Sequence, residues 1–262
     1  EYVPGPGQFI NENMDGMDAS LSTANAWARE RLENGKLVSL GSFGGYIIAG
    51  FDHSIVSGSG EYDFVIEGNA FNSPAGSSNE PGIVWVMQDV NGNGQPDDEW
   101  YELLGSARSD NDTRIDFGVT YNRPSAAGAD VEWVTLDGTA GCVDYISAFH
   151  TQPSYYPAWI EAGNYTLYGT CLPFKATKDP DTRQWNLPSF EWGYADNYGN
   201  DNHGTEAGNS NNCVGFKISN AVYCDGTPVN LQYIDFVKVQ TGVLGKCGHL
   251  GEVSTEISGI HE

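Results

Sequence analysis

The amino-acid sequence predicts an all-β protein, a β-sandwich or jelly roll with one N-terminal helix and long loops. About ten short segments rich in β-branched and aromatic residues are separated by Gly-, Asn- and Pro-containing turns, which recur roughly every 8–15 residues. The composition agrees, with 33 Gly, 12% aromatic and only 18% charged residues. At 262 residues the chain fits one large sandwich, so we expect a single domain over residues 1–262.

The one predicted helix follows an irregular segment, and together they occupy residues 1–35. Asp18 or Ser20 is a suitable N-cap, and Gly35 can end the helix in the left-handed conformation. Its apolar face is predicted to carry Leu21, Ala24, Trp27 or Ala28, and Leu32.

The rest of the chain is predicted to form strands and turns. The strands are predicted at Lys36–Leu40, Tyr46–Phe51, Tyr62–Ile66, Ile83–Met87, Trp100–Leu104, Arg114–Asn122, Val131–Leu136, Tyr165–Gly169, Phe190–Tyr194, Val214–Ile218 and Ile234–Gln240. Two long segments, 141–163 and 195–212, have no regular pattern. Loops of this length inside a compact domain are often functional or disordered.

The charge balance is strongly acidic, with 35 Asp and Glu against 12 Lys and Arg and a net charge of −23. This charge repels phosphate backbones, so nucleic acid is not an expected partner, whereas divalent cations are attracted. Because no apolar run approaches the roughly 20 residues needed to span a bilayer, the protein is not expected to cross a membrane. The chain begins at Glu1 without a methionine, which is compatible with a mature form whose leader has been removed.

The five cysteines leave at least one thiol outside any intrachain disulfide. None forms a C-x-x-C pair, which gives no support for a zinc knuckle or a thioredoxin motif. One or two disulfides, with Cys213 and Cys224 nearest in sequence, and several buried thiols are both compatible with the sequence.

The clearest chemical signal is the run 89–99, which predicts a calcium-binding loop. The predicted ligands are Asp89, Asn91, Asn93, Gln95 through its backbone carbonyl, Asp97 and Glu99, with Asp98 beside them. Gly94 is the sixth residue of the run, where an EF-hand loop needs a glycine, but the twelfth residue is Trp100 rather than the bidentate Glu. The flanking segments are predicted strands, so the loop is typical of an extracellular module rather than a helix–loop–helix sensor. The alternative is a hairpin built on the two Asn-Gly pairs, and a second cation site is conceivable at Glu67, Asn69 and Glu80.

Four stretches together resemble a family of surface-exposed or secreted proteins best known from gut Bacteroidetes. They are 40–53, 62–71, 80–103, and 192–197 followed by 234–239, and the resemblance covers most of residues 36–258. It implies a β-sandwich tethered outside the cell, often as a lipoprotein. It also implies a place beside outer-membrane nutrient uptake systems, including those for corrinoids such as vitamin B12. The sequence lacks the lipid-bearing N-terminal cysteine, so tethering is inferred.

A ligand site is expected where aromatic faces meet fixed polar groups. The predicted ligand-binding residues are His150, Gln152, Tyr155, Tyr156, Trp159, Trp192, Tyr194, Asp196, Asn197 and His203. A corrinoid would pack on the aromatic faces and bond its amides to Asn, Asp and Gln, while His150 or His203 could ligate its cobalt. A glycan would stack on the same aromatic rings. The alternative for each aromatic residue is burial in the core.

The protein is expected not to be an enzyme, because the sequence has no G-x-S-x-G elbow, no H-E-x-x-H helix and no phosphate loop. A glycoside-cleaving enzyme, which needs only two suitably spaced carboxylates, is one alternative. Its candidate carboxylates are Asp97, Asp98, Glu99, Glu191 and Asp196. An adhesion or interaction module with no small ligand is a further alternative.

Overall fold

The computed structural model describes residues 1–11, 17–74, 76–203 and 212–262, and it confirms an all-β sandwich with one helix. Part of the predicted loop 195–212, residues 204–211, lies outside the described residues. The elements are β1 (Tyr2–Val3), α1 (Leu21–Glu33), β2 (Val38–Ser39), β3 (Tyr46–Val56), β4 (Phe64–Gly68), β5 (Phe71–Ser73), β6 (Gly76–Ser78), β7 (Gly82–Met87), β8 (Trp100–Leu103), β9 (Arg114–Asn122), β10 (Val131–Thr135), β11 (Ala140–Val143), β12 (Asn164–Cys171), β13 (Thr177–Lys178), β14 (Trp185–Asn186), β15 (Asn212–Phe216), β16 (Ala221–Val222), β17 (Tyr233–Thr241) and β18 (Glu256–His261). Short 3₁₀ turns lie at Ile218–Asn220 and Gly248–Leu250.

Three antiparallel sheets form the body of the protein. Sheet I has six strands in the order β1-β3-β17-β7-β8-β16. Sheet II has the order β15-β4-β18-β2, and sheet III has the order β11-β10-β9-β12. Two-stranded ribbons, β5–β6 and β13–β14, complete the fold.

The main core lies between sheets I and II, where α1 also packs. Successive side chains of a strand point to opposite faces. Val84 and Val86 of β7 point toward this core, as do Val237 and Val239 of β17, and all four are fully buried. Each such side chain contributes about 1.5–3 kcal/mol on burial, so the register of these central strands is strongly specified.

A second core lies under sheet III. Its members include Phe43, Val119 and Tyr121, and the loop that follows β11 covers it with Tyr155 and Tyr156. This loop is therefore part of the packing of sheet III, although its sequence has no regular pattern.

The helix begins and ends where the sequence predicts. The Ser20 side chain accepts a hydrogen bond from the backbone N–H of Thr23, and Gly35 has a φ of +61° just past the last turn. Trp27 and its small neighbours are buried, whereas Leu21, predicted on the apolar face, is 48% exposed. Leu21 is the first residue of the helix and lies at the rim of a surface cleft instead.

The strand predicted at Phe190–Tyr194 is wrong, because this segment is an irregular loop. Its backbone bonds to a side chain instead of a neighbouring strand: Asn197 accepts from the N–H of Phe190 and donates to its carbonyl. Gly193, with a φ of +90°, turns the chain sharply before Tyr194. The two large aromatic residues are buried here without strand geometry.

The strand β18 is missing from the sequence-based prediction. Its pairing with β4 shifts register between Ile257 and Gly259, so a β-bulge interrupts the alternation that identifies strands. Its two isoleucines are consequently three residues apart rather than two.

The five cysteines, all within the described residues, form no disulfide with one another. Cys213 is buried and Cys224 is exposed, so the pair nearest in sequence is not joined. None of the helices in the described part of the chain is long and apolar enough to cross a membrane.

Candidate functional site

The outer face of sheet I, which is turned away from sheet II, carries a row of side chains in register across four strands. The row consists of Ile48, Lys238, Trp85 and Glu102. Residues two apart in a strand share a face, so Tyr46, Gln240 and Trp100 lie on the same face. The outer face of sheet I is thus aromatic and polar, while its inner face is mostly apolar.

A cleft of about 640 Å³ lies between this face and the edge strand of sheet III, β12. We call it the aromatic cleft, and its aromatic lining residues are Tyr46, Trp100, Trp159, Tyr165 and Tyr168. Lys238 and Gln240 add polar groups to the same lining. The Gln240 side chain is fixed by donating to the carbonyls of Gly44 and Tyr168, both at 2.8 Å, while its buried Oε1 has no hydrogen-bond partner. The volume and lining are typical of a small-ligand site.

Lys238 is the cation of the aromatic cleft. Its Nζ lies 4.7 Å from the ring centroid of Trp85, 5.4 Å from Trp100 and 5.7 Å from Tyr46. No carboxylate among the described residues forms an ion pair with it, because Glu102 bonds instead to Arg108 at 3.1 Å and to Thr170. Burial lowers the pKa of Lys238 to about 8, against the opposing field of Glu102 and Glu1. The aromatic cleft therefore contains an ammonium group whose donors are available to a ligand.

Replacing Lys238 by methionine is expected to remove a pH dependence of stability. The unfolded chain holds this proton up to its ordinary pKa of 10.5, whereas the folded protein releases it near pH 8, so the wild type gains stability between these values. Relative to Lys238→Met, the wild type should gain roughly 2–3 kcal/mol between pH 7.5 and 10. Urea denaturation at several pH values measures this difference, with Lys36→Met, an exposed lysine, as the control. A constant difference across the range would contradict the assignment.

The predicted calcium loop connects β7 to β8 as an irregular segment. The β7–β8 ladder ends at the pair Met87 and Trp100, so neither Asn-Gly pair closes the hairpin, and Gly92 and Gly94 have φ values of +68° and +69°. The side chain of Asp89 accepts from the backbone N–H of Asn93 at 3.1 Å and of Gly94 at 2.7 Å. The oxygens of the loop therefore turn inward and curl the chain on itself.

The side chains of Asp97 and Asp98 also accept hydrogen bonds from within the predicted calcium loop. Asp97 receives the side-chain amides of Asn91 and Asn93 at 3.0 Å, and these hydrogen bonds lower the pKa of Asp97. Asp98 accepts from the backbone N–H groups of Val90 and Asn91. The donor set is entirely oxygen, as calcium requires, and an amide rotation would turn the Asn oxygens toward an ion.

Glu99, another predicted calcium ligand, bonds to a residue of β8 that follows the loop. Its Oε2 accepts a hydrogen bond from the Tyr101 hydroxyl at 2.8 Å, and the side chain of Gln95 makes no hydrogen bond in the described structure. The loop is tied to sheet I at its other end, since Asp235 of β17 accepts from the Asp89 N–H at 2.8 Å.

Most of the predicted aromatic ligand residues are buried. Tyr155 and Tyr156 are each 1% exposed in the core of sheet III, and Tyr194 is 2% exposed with its hydroxyl accepting from the Ala107 N–H. Trp159 is 6% exposed, but it also lines the aromatic cleft. Of the predicted ligand residues, Trp159 alone is found in the described lining of that cleft.

The segment 192–197 is mostly structural. Asp196 and Asn197 are fully buried, and Asp196 accepts backbone N–H bonds from Asn69, Ala70 and Glu256. Trp192 is 37% exposed on the surface. The predicted composite site of segments 149–159 and 192–203 therefore does not form as one aromatic pocket.

The two predicted histidines contact different rings. His150 packs edge-on against Phe9 at 4.5 Å between ring centroids, and His203 packs on Tyr62 at 4.8 Å. The side chain of Gln152 donates to the backbone carbonyl of Gln8, which orders the same loop. Neither histidine belongs to the described lining of the aromatic cleft.

A group of carboxylates, two buried and one half-buried, lies elsewhere, and we call it the carboxylate cluster. It consists of Glu80, Asp196 and Glu256, whose carboxylate oxygens lie within 4.8 Å of one another. Asn69 bonds to it through its side chain, 3.0 Å from Glu256. Two residues of the second predicted cation site, Asn69 and Glu80, thus come together here, whereas Glu67 bonds to Ser258 on β18 and does not join them.

The residues that the sequence reasoning missed are the ones on the outer face of sheet I. Tyr46, Trp100 and Lys238 lie within correctly predicted strands, and Tyr168 lies in another. The signal that identifies them is alternation: each occupies the face opposite the apolar core residues of its strand. A strand whose second face is aromatic rather than charged indicates a surface that binds something.

No protein-family model matches the chain, and no curated protein matches it significantly.

Proposed function

We propose that the protein is a non-catalytic, calcium-stabilised binding protein of the extracytoplasmic surface, which captures a nutrient ligand in the aromatic cleft for an outer-membrane uptake system. The best candidate ligand is a corrinoid. The observation that carries the proposal is the aromatic cleft itself, in which Tyr46 and Trp100 lie beside an ammonium group on Lys238. The cell-surface location and the transporter partner rest on the sequence resemblance.

The cleft is suited to a large ring-shaped ligand with a polar rim. Its aromatic walls offer faces for packing, and their geometry is fixed by strands rather than by mobile loops. Lys238 supplies a hydrogen-bond donor for rim amides or hydroxyls. A preformed cleft loses little entropy on binding, which favours affinity.

Calcium would act on this cleft through structure rather than chemistry. Pro96 of the calcium loop and Trp100, immediately after it, both line the cleft. An ion held by Asp89, Asn91, Asn93 and Asp97 would fix the loop and so hold this wall in place. This coupling predicts tighter ligand binding when calcium is present.

A non-catalytic role is supported by the state of the suspected carboxylates. Asp97 and Asp98 are committed to the loop, Glu99 bonds to Tyr101, and Asp196 is buried with three backbone donors. Glu191 is exposed. None of these carboxylates belongs to the described lining of the aromatic cleft.

Isothermal titration with cobalamin and with a glycan panel tests the proposal. Cobalamin is expected to bind, and Trp100→Ala and Tyr168→Ala should each weaken binding by about 10-fold or more, since such aromatic contacts carry roughly 1–3 kcal/mol. Tyr168 is 59% exposed, so its truncation should leave folding intact. Trp192→Ala and Tyr233→Ala replace exposed aromatic residues outside the cleft and serve as matched controls.

A glycan is the second candidate, because the cleft lining includes the exposed ring of Tyr168 together with Trp100, and sugars stack on such rings. Binding of a glycan but not of cobalamin, with the same loss in the cleft variants, would replace the corrinoid assignment. Absence of heat with either class would contradict the binding function.

A further inference from the structure

The carboxylate cluster joins three distant parts of the chain. Glu80 lies just before β7, Asp196 lies in the loop after β14, and Glu256 opens β18. A cavity of about 480 Å³ gives access to the cluster, and its lining includes Glu80, Glu256 and a fourth acidic residue, Glu252. Asp196, Glu252 and Glu256 are remote from the calcium loop in sequence, and Glu80 lies at the opposite end of β7 from that loop.

The negative charge of this region has no protein cation to balance it. Among the described residues, no Lys, Arg or His forms an ion pair with Glu80, Asp196, Glu252 or Glu256. Burial and then mutual repulsion raise the pKa of Glu80 and of Asp196 well above their ordinary values, and burial raises the pKa of Glu252 to about 8. Several uncompensated buried carboxylates are strongly destabilising, so the cluster requires either protons or a bound cation.

The hydrogen bonds around the cluster match ionised carboxylates. Asp196 accepts three backbone N–H groups at 2.8–2.9 Å, and Glu256 accepts from the Ser39 hydroxyl at 2.8 Å and from the Asn69 amide. Glu80 accepts from the N–H of Ser254 at 3.2 Å. The backbone N–H groups and the Asn69 amide therefore suit ionised carboxylates at Asp196 and Glu256. Glu80 and Glu256 also hydrogen-bond to each other, so without an ion this pair shares a proton, whose place a bound cation would take.

Glu252 is the independent sign of a missing partner. Its residue is 7% exposed, and its Oε1 accepts from the Gln8 N–H at 2.8 Å. Its Oε2 is buried and has no hydrogen-bond partner, although it belongs to a side chain that lines the cavity shared with Glu80 and Glu256. Buried polar atoms are almost always satisfied, so an orphaned carboxylate oxygen in a cavity shared with two other carboxylates, those of Glu80 and Glu256, indicates a ligand.

We propose that Glu80, Asp196 and Glu256, together with Glu252, bind one hard divalent cation of the calcium class. The donor set is all oxygen and lies beside a cavity wide enough for water ligands, as calcium prefers. Cys247, His150 and His249 also line the cavity. The donor atoms that lie within 4.8 Å of one another are nevertheless all carboxylate oxygens, of Glu80, Asp196 and Glu256, which favours a hard cation. The bound ion cross-links the start of β18 to the loop 190–203 and to the turn before β7.

Native mass spectrometry and calcium titration of the metal-stripped protein count the sites. The double loop variant Asp89→Asn/Asp97→Asn is expected to retain one calcium ion, and the wild type two. Glu80→Gln/Glu252→Gln should lower the calcium affinity of the carboxylate cluster by roughly 100-fold or more. Even changes to residues that only support metal ligands lower metal affinity by roughly 10–100-fold. Glu161→Gln/Glu191→Gln, two exposed glutamates, is the matched control and should change neither site.

The outcomes separate this site from the calcium loop. A loop variant that binds no ion overturns the cluster site, as does a cluster variant that keeps the full count of ions. One ion in both the wild type and the loop variant supports the cluster and contradicts the loop. Manganese and zinc titrations of the loop variant test the ion class, and a clear preference for zinc would overturn the assignment to a hard cation. If the cluster variant does not fold, the ion count of the loop variant alone decides whether the cluster binds a cation.

Discussion

Chelating calcium is expected to lower the melting temperature of the protein by about 5–10 °C. An ion bound only by the folded state stabilises it by about 2.7 kcal/mol when free calcium is 100 times the dissociation constant, and 1 kcal/mol corresponds to roughly 2–4 °C for a domain of this size. The physical reason is the convergence of Asp89, Asp97 and Asp98 in one exposed loop, where an ion neutralises carboxylates that otherwise repel. Thermal unfolding followed by circular dichroism, with EGTA and then with calcium restored, measures the shift.

Point variants assign that shift to the loop. Asp97→Asn keeps the size of the side chain but removes a charged ligand, so the calcium-dependent rise in melting temperature should fall by about half or more. Asp112→Asn removes an exposed charge outside the loop and is the matched control. An equal rise in the wild type and in Asp97→Asn would contradict the assignment, and magnesium should not replace calcium because it demands near-ideal octahedral geometry.

Local alternation explains which parts of the fold the sequence could predict. The central strand β7 is an apolar, β-prone run that is buried at every position except Trp85, so its type follows from composition. In β17, Val237 and Val239 are fully buried on either side of the half-buried Lys238, so a period of two identifies this strand. The bulge in β18 removes this period, and the strand is invisible without its partner β4. The prediction for residues 190–194 fails for the opposite reason. Their aromatic side chains are typical of a strand, but the side chain of Asn197, and not a neighbouring strand, bonds to the backbone of Phe190.

The candidate sites differ in how far apart their residues lie in the sequence, and this decides which of them the sequence could predict. The calcium loop is contiguous, so its oxygen-rich pattern is readable before any fold is known. The aromatic cleft draws Tyr46, Trp100, Tyr168 and Lys238 from four strands, and only the register of sheet I and its contact with β12 bring them together. The many aromatic residues of segment 149–159 led to the prediction of a ligand site there. Local sequence does not distinguish an aromatic residue that packs on a sheet from one that binds a ligand. Burial under sheet III distinguishes the two.

Replacing Asn197 by alanine is expected to destabilise the protein by about 2–4 kcal/mol while leaving the ligand affinity of the aromatic cleft unchanged. Asn197 is fully buried, and its side chain bonds to both backbone groups of Phe190, at 2.8 Å to the N–H and 3.0 Å to the carbonyl. Without it, a buried donor and a buried acceptor lose their partners, and each loss costs about 1–3 kcal/mol. Urea denaturation measures the free energy of unfolding, and titration of the folded variant measures its affinity.

Asn200→Ala is the matched control, because this asparagine is exposed in the same loop and its truncation should cost no more than about 0.5 kcal/mol. Asn197→Asp refines the test: it keeps the acceptor for the Phe190 N–H but places a second oxygen against the Phe190 carbonyl, so it should be at least as destabilising as alanine. Should Asn197→Ala unfold at the same urea concentration as the wild type and lose ligand affinity instead, Asn197 would be a ligand contact, as its sequence position alone suggested. The expected pattern would show that Asn197 stabilises the loop that carries Asp196. Because Asp196 belongs to the carboxylate cluster, Asn197 also helps to position that cluster.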